Sequence, residues 1–243
     1  MATVPQSVLV AVDFSEASGR AAAIGGVIAD RCGAVLRLLH AETTDVPPYF
    51  TPAQIEPLER QQRATRAHVE QALSQFGRQH THRAFSSVVE DRSPIEAILH
   101  EARLVDLVVV GTHGRPGLKR WWLGSVAERV LHEIDRPLLI MHAEGGRPAD
   151  SLFERVLVHA SAPLNGTTTL DYARALTARF TGEVIDGRQG LIEPTLASTN
   201  ATLLIVAAPH PRTGAWLSRV GDPFVRHFTL PVLFVPELTQ GAM

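Results

Sequence analysis

Short runs of aliphatic and β-branched residues alternate along this chain with longer segments whose apolar residues recur at helical spacing, and that alternation restricts the fold more than any other feature. Val8 to Val12 and Leu107 to Val110 are apolar at every position. Such runs have no solvent face, so they read as strands buried on both sides, as in a parallel sheet. Val35 to Leu39, Phe85 to Val89 and Pro137 to Met141 complete a set of five. Between the first two, Ser15 can cap a helix with Ile24, Val27 and Ile28 on one stripe and Gly33 at its end. Leu58, Val69, Ala72, Leu73 and Phe76 fit one face of a second helix, closed by Gly77. Ser93-Pro94-Ile95-Glu96 joins an N-cap serine, a proline at the first helical position and a glutamate at N3, so a helix runs from there to about Arg103. Ser125 to Ile134 reads as another. Strands joined by helical crossovers run parallel with right-handed connections, which predicts an open α/β sheet with helices on both faces. Asp45 to Pro57 holds prolines at 47, 48, 52 and 57 and predicts a loop that can act as a lid.

Gly145, Gly146 and Pro148 mark a linker over residues 145–153, after which the pattern restarts at Arg155 to His159. Val156 to His159 echoes Val8 to Val12, Leu203 to Val206 echoes Leu107 to Val110, and Leu230 to Val235 echoes Arg136 to Met141. Residues 1–144 and 154–243 therefore predict two open-sheet domains in tandem. The second is shorter: Glu183 to Ile185 and a helix near Leu191 to Ser198 are all that fit between its first helix and the Leu203 strand, so one strand–helix pair is missing. A sheet tolerates the loss if the remaining strand moves in beside the first. The Pro231 to Val235 strand is expected to pair with Pro137 to Met141, hiding two sheet edges.

With 45% hydrophobic residues, a 243-residue chain can bury substantial cores. Its longest apolar runs fall far short of the roughly 20 residues of a membrane helix, and Asp13 follows the first run too soon for a signal peptide, so a cytoplasmic location is expected. A formal net charge of −2 leaves no basic surplus for nucleic acid. Cys32 is the only cysteine, which rules out an intrachain disulfide and any Cys-rich zinc site, and it reads as a buried helix end. The histidines show no paired ligand spacing with carboxylates, so no metal-ligating residue is assigned.

The stretch that carries chemistry runs from Gly111 to Ser125, between a buried strand and a helix. That is the carboxyl edge of an open sheet, where ligands bind and where glycines let backbone N–H groups approach an anion. Ser125 and the N–H groups of Val126 and Ala127 lie at a helix N-terminus, where the dipole favours phosphate. Arg115, Lys119 and Arg120 add positive charge. Neither a P-loop nor a dinucleotide fingerprint is present.

Gly111, Gly114, Gly124 and Ser125, in the spacing Gly-x2-Gly-x9-Gly-Ser, followed by Val126 to Leu131, resemble the nucleotide-binding members of the universal stress protein family. The opening Val12 to Ser18 and the strand end Leu39-His40-Ala41 are similar to that family too, and the likeness covers residues 6–142. It implies an adenine-nucleotide alpha-hydrolase-like, Rossmann-like fold and a pocket for ATP or AMP. Val12 and Asp13 would lie at its base and ribose end, Ala41 would contact the adenine, and Val110, Gly111, Thr112, His113 and Gly114, with Arg115 next in the loop, would line ribose and phosphate. Gly124, Ser125 and Val126 would hold the distal phosphates, normally with Mg²⁺. The family commonly has valine where Ala41 stands and aliphatic residues where Trp121 and Trp122 stand. A stress-response regulatory binding module follows from the resemblance.

Other readings stay open at the level of sequence. Ser125 and Glu128 can form a capping box, Asp13 can serve as a helix cap, and His113 can stabilise its turn. No base is clearly placed for phosphoryl transfer, so slow ATP hydrolysis or nucleotidyl transfer is the enzymatic alternative. A nucleotide-free interaction protein using Trp121 and Trp122 is a third. In the second half Pro209, Pro211 and Asp222 stand near the positions of the phosphate donors, which predicts a degenerate site and a structural role. Such a pseudo-dimer can stand alone or dimerise again.

Overall fold

The computed structural model describes residues 4–43, 52–112, 124–142, 148–160, 164–188, 192–209 and 230–237. Their strands form one sheet. In chain order these are β1 (Ser7–Ala11), β2 (Val35–Ala41), β3 (Phe85–Glu90), β4 (Leu107–Thr112), β5 (Leu138–His142), β6 (Arg155–His159), β7 (Glu183–Asp186), β8 (Leu203–Pro209) and β9 (Val232–Glu237), arranged β3-β2-β1-β4-β5-β9-β8-β6-β7. All neighbours are parallel except β5 and β9, which run antiparallel with Leu138, Leu139 and Ile140 opposite Phe234, Leu233 and Val232. The short strand β7 lies directly beside β6. Nothing equivalent to β3, or to the helix before it, follows β7 among the described residues.

The helices close where local chemistry dictates. In α1 (Glu16–Cys32), Ser15 accepts from the Ser18 N–H, and Gly33 takes φ 68°, so that its own N–H reaches the Ala29 and Asp30 carbonyls. Ser93 caps α3 (Pro94–Ala102), with Pro94 in the first turn and the Ser93 hydroxyl bonded to Glu96 at 2.9 Å. The helix α2 (Pro52–His80) overturns the loop that four prolines predict over Asp45 to Pro57: the helix begins at Pro52 and continues through Pro57. Pro52 costs nothing in a first turn, and Pro57 removes one N–H from a 29-residue helix, a loss of about 3 kcal/mol that its long remainder offsets. Residues 44–51, the rest of that segment, lie outside the described residues. The expected linker includes a 3-10 turn, Ala149–Phe153, whose Leu152 and Phe153 are buried.

Alternating strand residues feed two apolar layers that both cross the β5–β9 seam. Val8, Val10, Leu107 and Val109 join Val156, Ile205 and Leu233 under α1 and α5 (Thr167–Thr177). Leu9, Val108, Val110 and Ile140 join Leu204, Val206 and Phe234 under α3, α4 (Ser125–Glu133) and α6 (Ile192–Thr199). Because each layer is continuous across the seam, the second half buries apolar surface of the first. No described helix is long and apolar enough to cross a membrane.

Two charged groups inside the structure have specific partners. Glu101 is only 4% exposed and faces Arg37 at 3.0 Å, an ion pair set between α3 and β2. Glu237, at the end of β9, is also buried and takes three hydrogen bonds from the start of α5: Thr169 N–H and Oγ1–H on Oε1, both at 2.7 Å, and Gly166 N–H on Oε2 at 3.2 Å. Gly166 is the N-cap there and has no side chain to offer, so a carboxylate from the far end of the chain does the capping.

Candidate nucleotide cleft

The strand order reverses at β1 and β4: the chain leaves β1 toward β2 on one side, while β4 lies on the other. Helices departing from neighbouring strands to opposite faces open a crevice at the carboxyl edge. A cleft of about 150 Å³ lies there. Val12, Asp13, Ala41, Val110, Gly111 and Val126, all singled out in the sequence, line it together. Its remaining walls come from Ala127, whose N–H the sequence places at the helix start, and from Ala11, Leu39, His40, Pro94 and Ile98, which the sequence alone does not assign to the site. Leu39 could have been found from strand alternation, since it shares a face with Ala41. Pro94 and Ile98 belong to a helix visible in the sequence, but nothing local tells which strand ends that helix covers.

Thr112, Gly124 and Ser125 border the cleft without lining it. Thr112 is buried, and its Oγ1 accepts from the Gly124 N–H at 3.3 Å, tying β4 to the start of α4. His113, Gly114 and Arg115, with the rest of the loop to Leu123, lie outside the described residues. The capping alternative for Ser125 does not hold. Gly124 is the N-cap, with φ −60° and ψ 149°, so Ser125 is already the first helical residue and exposed. No side-chain cap is found on this helix start among the described residues. Its first-turn N–H groups at Ser125, Val126 and Ala127 are donors that an intrahelical partner does not satisfy.

Asp13 does not cap α1 either, because Ser15 holds that position. Its Oδ1 accepts from the Ser15 N–H at 3.1 Å and from the Ser15 hydroxyl, so the carboxylate buttresses the cap from the mouth of the cleft. Packing alone requires a glycine at position 111: a Cβ there would come within 2.5 Å of the Ala17 carbonyl carbon and 2.6 Å of the Ser18 nitrogen. The helix α1 starts that close to β4. Gly124 has no such constraint, since a Cβ would meet only Thr112 Oγ1 at 3.9 Å.

On the far side of Thr112, in register across the ladder, His142 ends β5. Burial holds its imidazole down to about 4; a hydrogen bond with the Leu230 backbone works the other way, and Arg20 adds to the lowering. Burial also pushes His159 at the end of β6 down, against a bond with the Gly187 backbone. Among the described residues Glu90, His100 and Glu101 bring potential metal-ligand atoms within 4.8 Å of one another. Arg92 stands 3.2 Å from Glu90 and Arg37 3.0 Å from Glu101, so both carboxylates already face a cation.

Residues 5–142 match the sequence profile of the universal stress protein family. The chain belongs to that family. A universal stress protein from Thermus aquaticus, encoded in the QAH/OAS sulfhydrylase 3′ region, is 33% identical over 141 residues, which are 56% of this chain and 98% of that relative. A universal stress protein of Mycolicibacterium smegmatis is 33% identical over 137 residues, 55% of this chain and 45% of that protein. The chain thus spans less than half the length of the mycobacterial relatives it matches. Among solved structures, a universal stress protein from Archaeoglobus fulgidus DSM 4304 aligns over 95% of this chain and 98% of its own at a TM-score of 0.69 and 18% identity, a likeness of fold. As a universal stress protein this chain has its family match in the half that holds the cleft.

Proposed function

We propose that this universal stress protein binds one adenine nucleotide, ATP or AMP, in the β1–β4 cleft and acts as a stress-response regulatory module. The observation that carries the reading is the convergence of Val12, Asp13, Ala41, Val110, Gly111 and Val126 on one cleft at the strand-order reversal. Leu39, Val110, Ile98 and Ala127 supply apolar walls suited to a flat heterocycle. About 150 Å³ is below the roughly 300–1,000 Å³ of a drug-sized site, which suits a base in the slot with ribose and phosphates along the open edge. Asp13 is the one carboxylate among the lining residues, and it accepts hydrogen bonds, as a ribose hydroxyl would require. The uncapped start of α4 offers backbone donors to an anion. A Mg²⁺ ion travelling with a triphosphate would take oxygen ligands mainly from phosphate and water, and Asp13 is the carboxylate of the wall that could join them.

The test is to denature freshly purified protein and identify released nucleotide by chromatography. Close to one equivalent of adenine nucleotide per chain is expected. Ala41→Phe, which fills the slot, and Gly114→Asp, in the loop outside the described residues, should both abolish it, while Asp222→Ser in the second half should leave it unchanged. Nucleotide retained at full occupancy in Ala41→Phe would place the ligand elsewhere. A protein that carries none and takes up none with Mg²⁺ would sink the proposal.

A further inference from the structure

Beside the cleft, a bulky residue sits in a conformation it rarely adopts. Phe14, which follows Asp13 directly, has φ 61°, in the left-handed region, where a residue with a large side chain is uncommon. The residue is 39% exposed, and its ring lies against the imidazole of His40, centroids 4.6 Å apart. Its other contact is edge-on to Phe76 of α2 at 5.5 Å, and Phe76 in turn packs on His80 at 4.4 Å. A file of rings from α2 thus braces the turn between β1 and α1.

His40 also grips that turn by a hydrogen bond. Its Nδ1 is 2.7 Å from the Val12 carbonyl oxygen, and since a carbonyl only accepts, Nδ1 carries the proton. The Val12 N–H meanwhile donates to the Leu39 carbonyl at 2.8 Å. The registered pairs of β1 with β2 end at Ala11 and Leu39, so Val12 is held from β2 by one backbone bond and one side-chain bond as it enters the cleft wall. Strained backbone held by its surroundings next to a ligand site is a form of preorganisation.

We infer that His40 is a positioning residue for nucleotide binding: its Nδ1–H and the ring of Phe14, packed against it at a tilt of 43°, hold Val12 and Asp13 in the binding geometry before the ligand arrives. The inference rests on the nucleotide-binding reading above. His40 is itself part of the cleft wall, but its role here is its hold on Val12 and Asp13, in which the hydrogen bond counts for more than the bulk of its ring.

Calorimetric titration with ATP and with AMP, in Mg²⁺, of wild type, His40→Leu, His40→Asn and Phe14→Gly tests this, with a thermal midpoint recorded for each. His40→Leu should weaken binding about tenfold or more, while His40→Asn, whose amide nitrogen can stand where Nδ1 stands, should return to within about threefold of wild type. Phe14→Gly relieves the positive φ, so it should keep or raise the midpoint and still weaken binding. Wild-type affinity in His40→Leu, or equal loss in His40→Leu and His40→Asn, overturns the inference while leaving nucleotide binding intact. A wild type that binds neither nucleotide overturns both. Should His40→Leu fail to fold, unchanged affinity in Phe14→Gly overturns the clamp.

Discussion

Replacing Glu237 with alanine should destabilise the whole sheet although the residue is near the end of the chain. Its buried carboxylate satisfies two N–H groups and one hydroxyl at the start of α5, where Gly166 cannot cap. A lost N-cap typically costs about 1–2 kcal/mol. A carboxylate at a partly buried helix N-terminus adds about 1–2 kcal/mol through the dipole. Taken together, Glu237→Ala should lower stability by about 3 kcal/mol, which for a chain of this size is a fall in Tm of about 6–12 °C. Glu237→Gln keeps one acceptor oxygen and should lose about half of that. Urea and thermal unfolding followed by circular dichroism at pH 7 measure both. Thr169→Val separates capping from general packing. It should cost about 1 kcal/mol in the wild type and much less in Glu237→Ala, since the two side chains share a bond. A Glu237→Ala protein within about 1 kcal/mol of wild type, or strictly additive losses in the double variant, would refute the remote cap.

Arg37→Met leaves the buried Glu101 carboxylate without its cation and should cost about 3 kcal/mol by urea denaturation, with much of the loss recovered in Arg37→Met/Glu101→Leu. Gly111→Ala should cost about 1–3 kcal/mol and weaken nucleotide binding, because its Cβ drives into α1 backbone; an unperturbed midpoint would contradict the close approach. Acid stability should report His142. The unfolded imidazole titrates near 6.5 and the folded one near 4, so between those pH values the unfolded chain binds the additional proton. Stability is therefore full above about pH 6.5 and falls toward pH 4 by about 3 kcal/mol, with His159 adding loss of the same sign. Urea midpoints taken from pH 7 to 4 measure it, and His142→Asn should flatten the slope.

What could be read from the sequence was what neighbouring residues settle among themselves. The strands β1 and β4 announced themselves because residues buried on both faces must be apolar at each position, and the Ser15, Ser93 and Gly33 caps because each bonds within its own turn. The helical run from Pro52 to Pro57 was hidden because proline frequency speaks for loops, whereas a long following helix can absorb two prolines near its start. Half of the candidate site residues converge on the cleft, since they belong to strand ends and one helix start. Pro94 and Ile98 escaped because only the packing of α3 across β1 and β2 brings them there. The packing role of Gly111 is hidden for a related reason: a glycine next to a phosphate motif has an obvious local explanation, while the backbone that its Cβ would meet, in α1, lies far back in the sequence. Glu237 gave no signal at all, being a surface-type residue whose partners are 68 and 71 residues away.

The seam between β5 and β9 has a consequence for dilution. Its paired register is short, from Leu138 to Ile140 against Val232 to Phe234. Between separate chains, contact through so few rungs would depend on how much protein is present. Here one chain carries both strands, with β6, β7 and β8 folded between them, so their meeting is intramolecular and independent of the amount in solution. The β5–β9 pairing beside the cleft should accordingly persist at trace abundance of the protein.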